Sequence, residues 1–249
     1  MKTQVIDLDL DYFNYFQRKP IGPKVWGRSN RHPNGVIPAV KLFLATLPRD
    51  VPCHFVVEHH HVLDCLPKGK TRRPIDRIGT WFHVDEHHDF YADPSEVKSG
   101  IDPDCGNYCW AVPTTMYKRF IWVTPPWSKM KNVHHGNRVQ IRSWMKRHQR
   151  TFEVQSKWTW QKSRVGLVLV CLSPDFIYFR AEEVDEVIRM IGDHFNLKKV
   201  PVPRDREGRY YSRSSVSSWS LARRIPTIRP LRKSEKKKAV KKKAAKTRR

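Results

Sequence analysis

Two short stretches of this sequence carry carboxylates and imidazoles at alternating positions, a pattern that gathers ligands for divalent cations. In the first, Asp7, Asp9 and Asp11 alternate with Ile6, Leu8 and Leu10. Residues i, i+2 and i+4 of a strand share a face, so three carboxylates crowd one side while the apolar set enters a core. Asp is disfavoured in strands, and like charges this close repel unless a cation lies among them. In the second, Asp85, His87 and Asp89 form D-x-H-x-D within HVDEHHD at the end of an apolar run. Their mix of oxygen and nitrogen suits a divalent metal. A third run, Glu58-His59-His60-His61, follows the apolar CHFVV. The run itself does not say which histidine would be a ligand. A solvated edge strand, a polar loop and a structural histidine are the plain alternatives for the three runs.

Together the runs offer four aspartates (Asp9, Asp11, Asp85, Asp89) and at least two imidazoles. A set so rich in oxygen favours manganese over zinc. Two divalent cations, these aspartates and a bridging hydroxide leave a net charge of about −1, which suits a cationic substrate. Bound metals lower the pKa of a water and so supply a nucleophile at neutral pH.

Short apolar segments precede each run and must position it. Residues 4–10, 53–57, 78–84, 119–123 and 166–172 read as strands, and 37–47, 60–66 and 181–195 as helices or helix starts. The fully apolar run at 166–172 suits the middle of a parallel sheet. Residues 18–36, rich in Pro and Gly, read as a loop, 68–77 as a basic loop, and 138–163 fits no single element. Alternating strands and helices predict an α/β fold of three layers (αβα) with a mainly parallel sheet. Ligands then bind beyond the carboxyl ends of the strands, where all three runs fall.

Bulk properties narrow the setting. The net charge is +24, of which +11 lies in residues 229–249, with twelve Lys or Arg and one Glu. That tail reads as disordered and low in complexity, so the expected division is a folded domain over 1–228 and a tail over 229–249. Basic tails bind phosphates with little specificity, so non-specific nucleic-acid binding is one reading of this one and a solubilising or localising appendage the other. Five cysteines without a CxxC pair argue against a zinc ribbon or a disulfide framework and fit reduced thiols in the cytoplasm. The acidic N-terminus is unlike a signal peptide, and no stretch approaches the roughly 20 apolar residues of a membrane span. A cytoplasmic protein is expected.

These motifs resemble the ureohydrolase side of the arginase–deacetylase superfamily, and more closely the peptide arginases and their relatives. The resemblance rests on DLDLDYF (7–13), VVEHHHVL (56–63), HVDEHHDF (83–90), GNYCWAVP (106–113) and FIWVTPPW (120–127), and it covers roughly residues 4–195. It implies two manganese ions held by Asp9, Asp11, His60, Asp85, His87 and Asp89, with Asp7 standing where the family has a substrate-side serine. It also implies an arginase/deacetylase-like sheet that is circularly permuted, because the D-x-D segment comes first here and late in the family. The implied activity is hydrolysis of a peptidyl arginine to ornithine and urea. Asp11 would move the proton, Asp175 or Glu86 would grip the guanidinium, and Asn107 would position the substrate. The family's guanidinium-binding glutamate and proton-transfer histidine are replaced by Cys171 and Cys109. A metal-dependent amide hydrolase of the deacetylase kind, and an inactive relative with a nucleic-acid-binding tail, are the competing readings.

Overall fold

The computed structural model describes residues 3–13, 17–20, 26–29, 35–66, 78–91, 94, 103–128, 135–173 and 181–197. The basic loop at 68–77, Asp175, and the whole of the tail with its domain boundary lie outside the described residues.

In chain order the main elements are β1 (Thr3–Asp9), β2 (Gln17–Pro20), β3 (Trp26–Ser29), α1 (Val36–Ala45), β4 (Cys53–Val56), α2 (Val62–Cys65), β5 (Ile78–Val84), β6 (Arg119–Val123), α3 (His135–Arg147), β7 (Thr151–Gln155), β8 (Val165–Cys171) and α4 (Ala181–Phe195). Six strands form one sheet in the order β4-β8-β1-β5-β6-β7, and every pairing in it is parallel. The α/β layering expected from the sequence is present.

Each face of the sheet carries its own core, as the alternation of strand side chains dictates. Ile6, Leu8, Phe82, Val84, Ile121, Val168 and Val170 pack on the side covered by α1 and α4, which contribute Val40, Phe43, Val187 and Ile191. Val5, Trp81, Phe120, Trp122, Leu167 and Leu169 face the other side, under Val62, Tyr108, Ile141, Trp144 and Met145. Burial on both faces explains the near-continuous apolar strands.

The chain passes through α1 on the first face before β4 and through α2 on the second face before β5, which lies on the other side of β1. Strand order therefore diverges at β1, and a crevice opens at the carboxyl ends beside it. The sheet puts the last residues of β1, β5 and β8 next to one another there: Asp7 is in register with His83 and Asp9 with Cys171.

Two expectations from the sequence are corrected. Part of the 18–36 loop is an antiparallel ribbon, β2 pairing β3 from Gln17↔Ser29 to Pro20↔Trp26. The unassigned 138–163 stretch holds most of α3 and all of β7. In α3, Ile141, Trp144 and Met145 supply a buried face at helical spacing within a basic helix. In the edge strand β7 only Phe152 is buried, so no strand alternation shows in the sequence. Of the tryptophans there, Trp144 is core, while Trp158 and Trp160 are partly buried and pack edge-on to Phe43.

Candidate metal centre

The carboxyl ends of the central strands bring five aspartates and three histidines together. Asp9 ends β1, and Asp11 sits in the 3-10 turn Leu10–Phe13, where its N–H donates to Asp9 Oδ1 at 2.9 Å. Asp85 follows β5 directly. Its backbone is held by its own N–H to Val123 and by Trp122 Nε1 donating to its carbonyl at 3.0 Å. Its Oδ1 accepts the His87 N–H at 2.6 Å. Asp89 adopts a left-handed backbone (φ 49°), which Asp tolerates better than most residues. That turn is clamped by Cys109 N–H donating to the Asp89 carbonyl and Tyr91 N–H to that of Gly106.

His59 is the hub. Its Nδ1 lies 3.0 Å from Asp9 Oδ2, 3.2 Å from Asp85 Oδ2 and 3.1 Å from Asp89 Oδ2. His87 Nδ1 lies 2.8 Å from Asp11 Oδ2 and 3.7 Å from Asp85 Oδ1. Among the described residues, ligand atoms therefore fall into three groups, each within 4.8 Å: His59, His83, Asp85 and Asp89; Asp9, His59 and Cys171; and Asp11, Asp85 and His87. Asp85 belongs to two of these groups and joins them.

Of the expected ligands, Asp9, Asp11, Asp85, His87 and Asp89 converge, and His60 does not. His60 lies beside Glu58, 3.5 Å from Nδ1 to Oε2, and its ring packs against His61. His59 takes the place expected for His60 because β4 ends at Val56 and Glu58 is still extended (φ −114°, ψ 143°). The first residue of the following 3-10 turn is then the one aimed across the strand ends. His59→Ala is expected to lower metal affinity at least 10–100-fold, while His60→Ala leaves it within about threefold; calorimetric titration of both variants checks this.

Other assignments change as well. Asp7 is not available to a substrate: it is wholly buried. It accepts from Tyr108 Oη at 2.6 Å and Trp81 Nε1 at 3.1 Å, and it faces His59 and His83. Asn107 is buried and its Oδ1 accepts the Asp104 N–H at 2.8 Å, which shapes the turn that clamps Asp89. Glu86 is buried beside the cluster, its N–H donating to Asp11 Oδ1 at 3.3 Å and its Oε1 accepting from Ser128 Oγ at 3.4 Å. Cys109 sits in the core, and burial pushes its thiol up. Cys171 reaches the cluster from inside the sheet. Its thiol lies 3.2 Å from Ser173 Oγ, and the Ser173 hydroxyl donates to Asp9 Oδ2.

Sequence reasoning missed His83, Tyr108, Trp81 and Ser173. A signal existed for His83: it is two residues before Asp85, so the alternation runs H-x-D-x-H-x-D over 83–89. Nothing local marked Tyr108, whose phenol reaches Asp7 from another part of the chain.

Charge shows why the cluster could hold a cation. Asp7, Asp9, Asp11, Asp85 and Asp89 are all buried, against three imidazoles. Burial opposes ionisation of Asp11, and the charges of Asp85 and Asp9 push its carboxyl further up. Burial and Asp85 raise Asp89 to about 7. Burial also opposes charge on Asp7 and Asp85, yet nearby imidazoles hold both well below the ordinary carboxylate range. Burial disfavours imidazolium, but the carboxylates more than offset this, so His59, His83 and His87 are all shifted up. Protons thus share the space between ligands, and a metal ion that displaces them satisfies the same atoms. The donor set fits metal ions on this ground.

No family model, curated protein or solved structure matches the chain.

Proposed function

We propose that this chain is a metal-dependent hydrolase that acts on the guanidinium of a peptidyl arginine, giving ornithine and urea, with two divalent ions, manganese foremost. The observation that carries the reading is the convergence of the Asp9, Asp85 and Asp89 carboxylates on His59 and of the Asp11 and Asp85 carboxylates on His87 beside it. Ions held there would lower the pKa of a water and supply a hydroxide nucleophile at neutral pH.

The chain's own residues do the rest. Asp85 ties the two positions together. The Asp11 carboxyl, held by the Glu86 N–H on Oδ1 and by His87 on Oδ2, takes the water's proton and returns it to the leaving amine. Glu86, fixed beside Asp11, offers a carboxylate to the cationic guanidinium. Cys171 cannot replace the family's glutamate in that role, since a buried thiol offers no paired charge-assisted bonds.

A peptide rather than free arginine is favoured by an apolar groove of about 420 Å³ that includes Tyr12, Phe13, Leu42, Trp127 and Trp158. It begins at the residue after Asp11. It also includes Trp127, the residue before Ser128, whose hydroxyl bonds Glu86. An apolar side chain beside the arginine would occupy it.

The test is incubation of the manganese-loaded protein with arginine peptides, acetyl-lysine peptides and free arginine. Urea and ornithine from the peptides are expected, with free arginine turned over at least tenfold less efficiently. Acetate release without urea would move the activity to the amide hydrolases. No turnover by fully loaded protein would contradict any hydrolase.

A further inference from the structure

Asp7 touches two imidazoles through opposite ring nitrogens. Its Oδ1 lies 3.1 Å from His59 Nε2, and its Oδ2 lies 3.4 Å from His83 Nδ1. The nitrogens turned away from Asp7 face the same pair of carboxylates. His59 Nδ1 is 3.2 Å from Asp85 Oδ2 and 3.1 Å from Asp89 Oδ2, and His83 Nε2 is 3.4 Å and 3.7 Å from those atoms. A carboxylate behind the far nitrogen fixes an imidazole's tautomer and orients its near lone pair, as it does for metal-ligating histidines.

His83 Nε2 is also buried without a hydrogen bond, while Asp89 Oδ2 beside it has only His59 within reach. The side chain of His83 is 0% exposed and that of Asp89 6%. Native proteins rarely leave such atoms unsatisfied, and each exception calls for an explanation such as a missing ion. Tyr108 and Trp81 reinforce the backing, each donating to Asp7 Oδ2.

We propose that His83 is a metal ligand, so that the inner position is a two-histidine, two-carboxylate site of His59, His83, Asp85 and Asp89, backed by the single carboxylate of Asp7. This deepens the metal-dependent reading above and rests on it. The two positions then differ in kind. The outer one, at Asp11, Asp85 and His87, has a single imidazole, and that side chain is 29% exposed. The inner one is buried and has two. A second imidazole shifts preference from manganese toward zinc, cobalt or iron. The inner position fills first, and it selects a different metal from the outer one.

Titration of the metal-depleted full chain with cobalt(II), followed by visible absorption and calorimetry, tests this. Wild type is expected to show an intense four-coordinate spectrum with the first ion and a weaker one with the second. His83→Gln and His83→Ala are expected to lose the intense band and to weaken the first ion at least 10–100-fold, while His87→Ala weakens only the second. A folded His83→Gln variant with wild-type spectrum and affinity would overturn the assignment while leaving the metal centre intact. Failure of wild type to take up cobalt, zinc or manganese would instead remove the metal reading itself.

Discussion

Asp85→Ala is expected to abolish metal binding at both positions of the proposed centre and with it the proposed hydrolysis. Asp85 is the one carboxylate shared by the inner and outer groups. Its Oδ2 faces His59 and His83, and its Oδ1 faces His87. Loss of an outer-shell partner costs metal affinity roughly 10–100-fold, and loss of a shared ligand costs more at each position. The variant is expected to fold, because removing Asp85 relieves repulsion on Asp11 and Asp89 as well as removing an attraction to the imidazoles. Metal content and far-ultraviolet circular dichroism on one sample check both halves. A folded variant that keeps one tightly held ion would contradict the shared role.

Asp7→Ala is expected to destabilise the fold by about 3 kcal/mol, through a different cause. The side chain is wholly buried on the second face of the central strand. Its removal strands the Trp81 N–H and leaves the Tyr108 hydroxyl and the two imidazole nitrogens with only one another for partners in the core. Each buried polar group left without a partner costs about 1–3 kcal/mol, and losses of this size come from a few mechanisms, of which this is one. Asp7→Asn keeps the shape and one acceptor oxygen, so it is expected to cost less. Urea denaturation of metal-free protein reads both values. A loss below about 1 kcal/mol for Asp7→Ala would show that water or rearrangement satisfies those groups.

The contrast between these two aspartates marks what the sequence could and could not convey. Alternation placed Asp7, Asp9 and Asp11 on one side of a strand; the structure keeps Asp7 and Asp9 in β1 and puts Asp11 in the 3-10 turn that follows it. The sequence could not show that this side is itself a core at the level of Asp7 and a crevice at the level of Asp9. That depends on Tyr108 and Trp81, which arrive from distant segments. The strands at 78–84 and 119–123 were legible because burial on both faces makes them short apolar runs, and the helix at 181–195 because its buried residues repeat at helical spacing. The edge strand Thr151–Gln155 was not, because one buried phenylalanine carries no period.

Histidines show the same limit more sharply. Three stood in a row after β4, and the ligand among them depends on where the strand stops, which periodicity locates only to within a residue or two. In HVDEHHD the alternation separates His87, which reaches Asp11, from His88. His88 accepts the Phe90 N–H and packs between Tyr91 and Trp122. The same alternation extended back to His83, whose role depends on the carboxylate opposite it in the neighbouring strand.

The most direct test of the whole reading is the metal content of the purified chain after reconstitution and exhaustive dialysis, measured by elemental analysis. About two divalent ions per chain are expected, with none held by Asp85→Ala. Wild-type protein that folds, resists denaturation and retains no divalent metal would contradict it. The buried aspartates and histidines would then be a hydrogen-bonded core network that holds protons in place of metal.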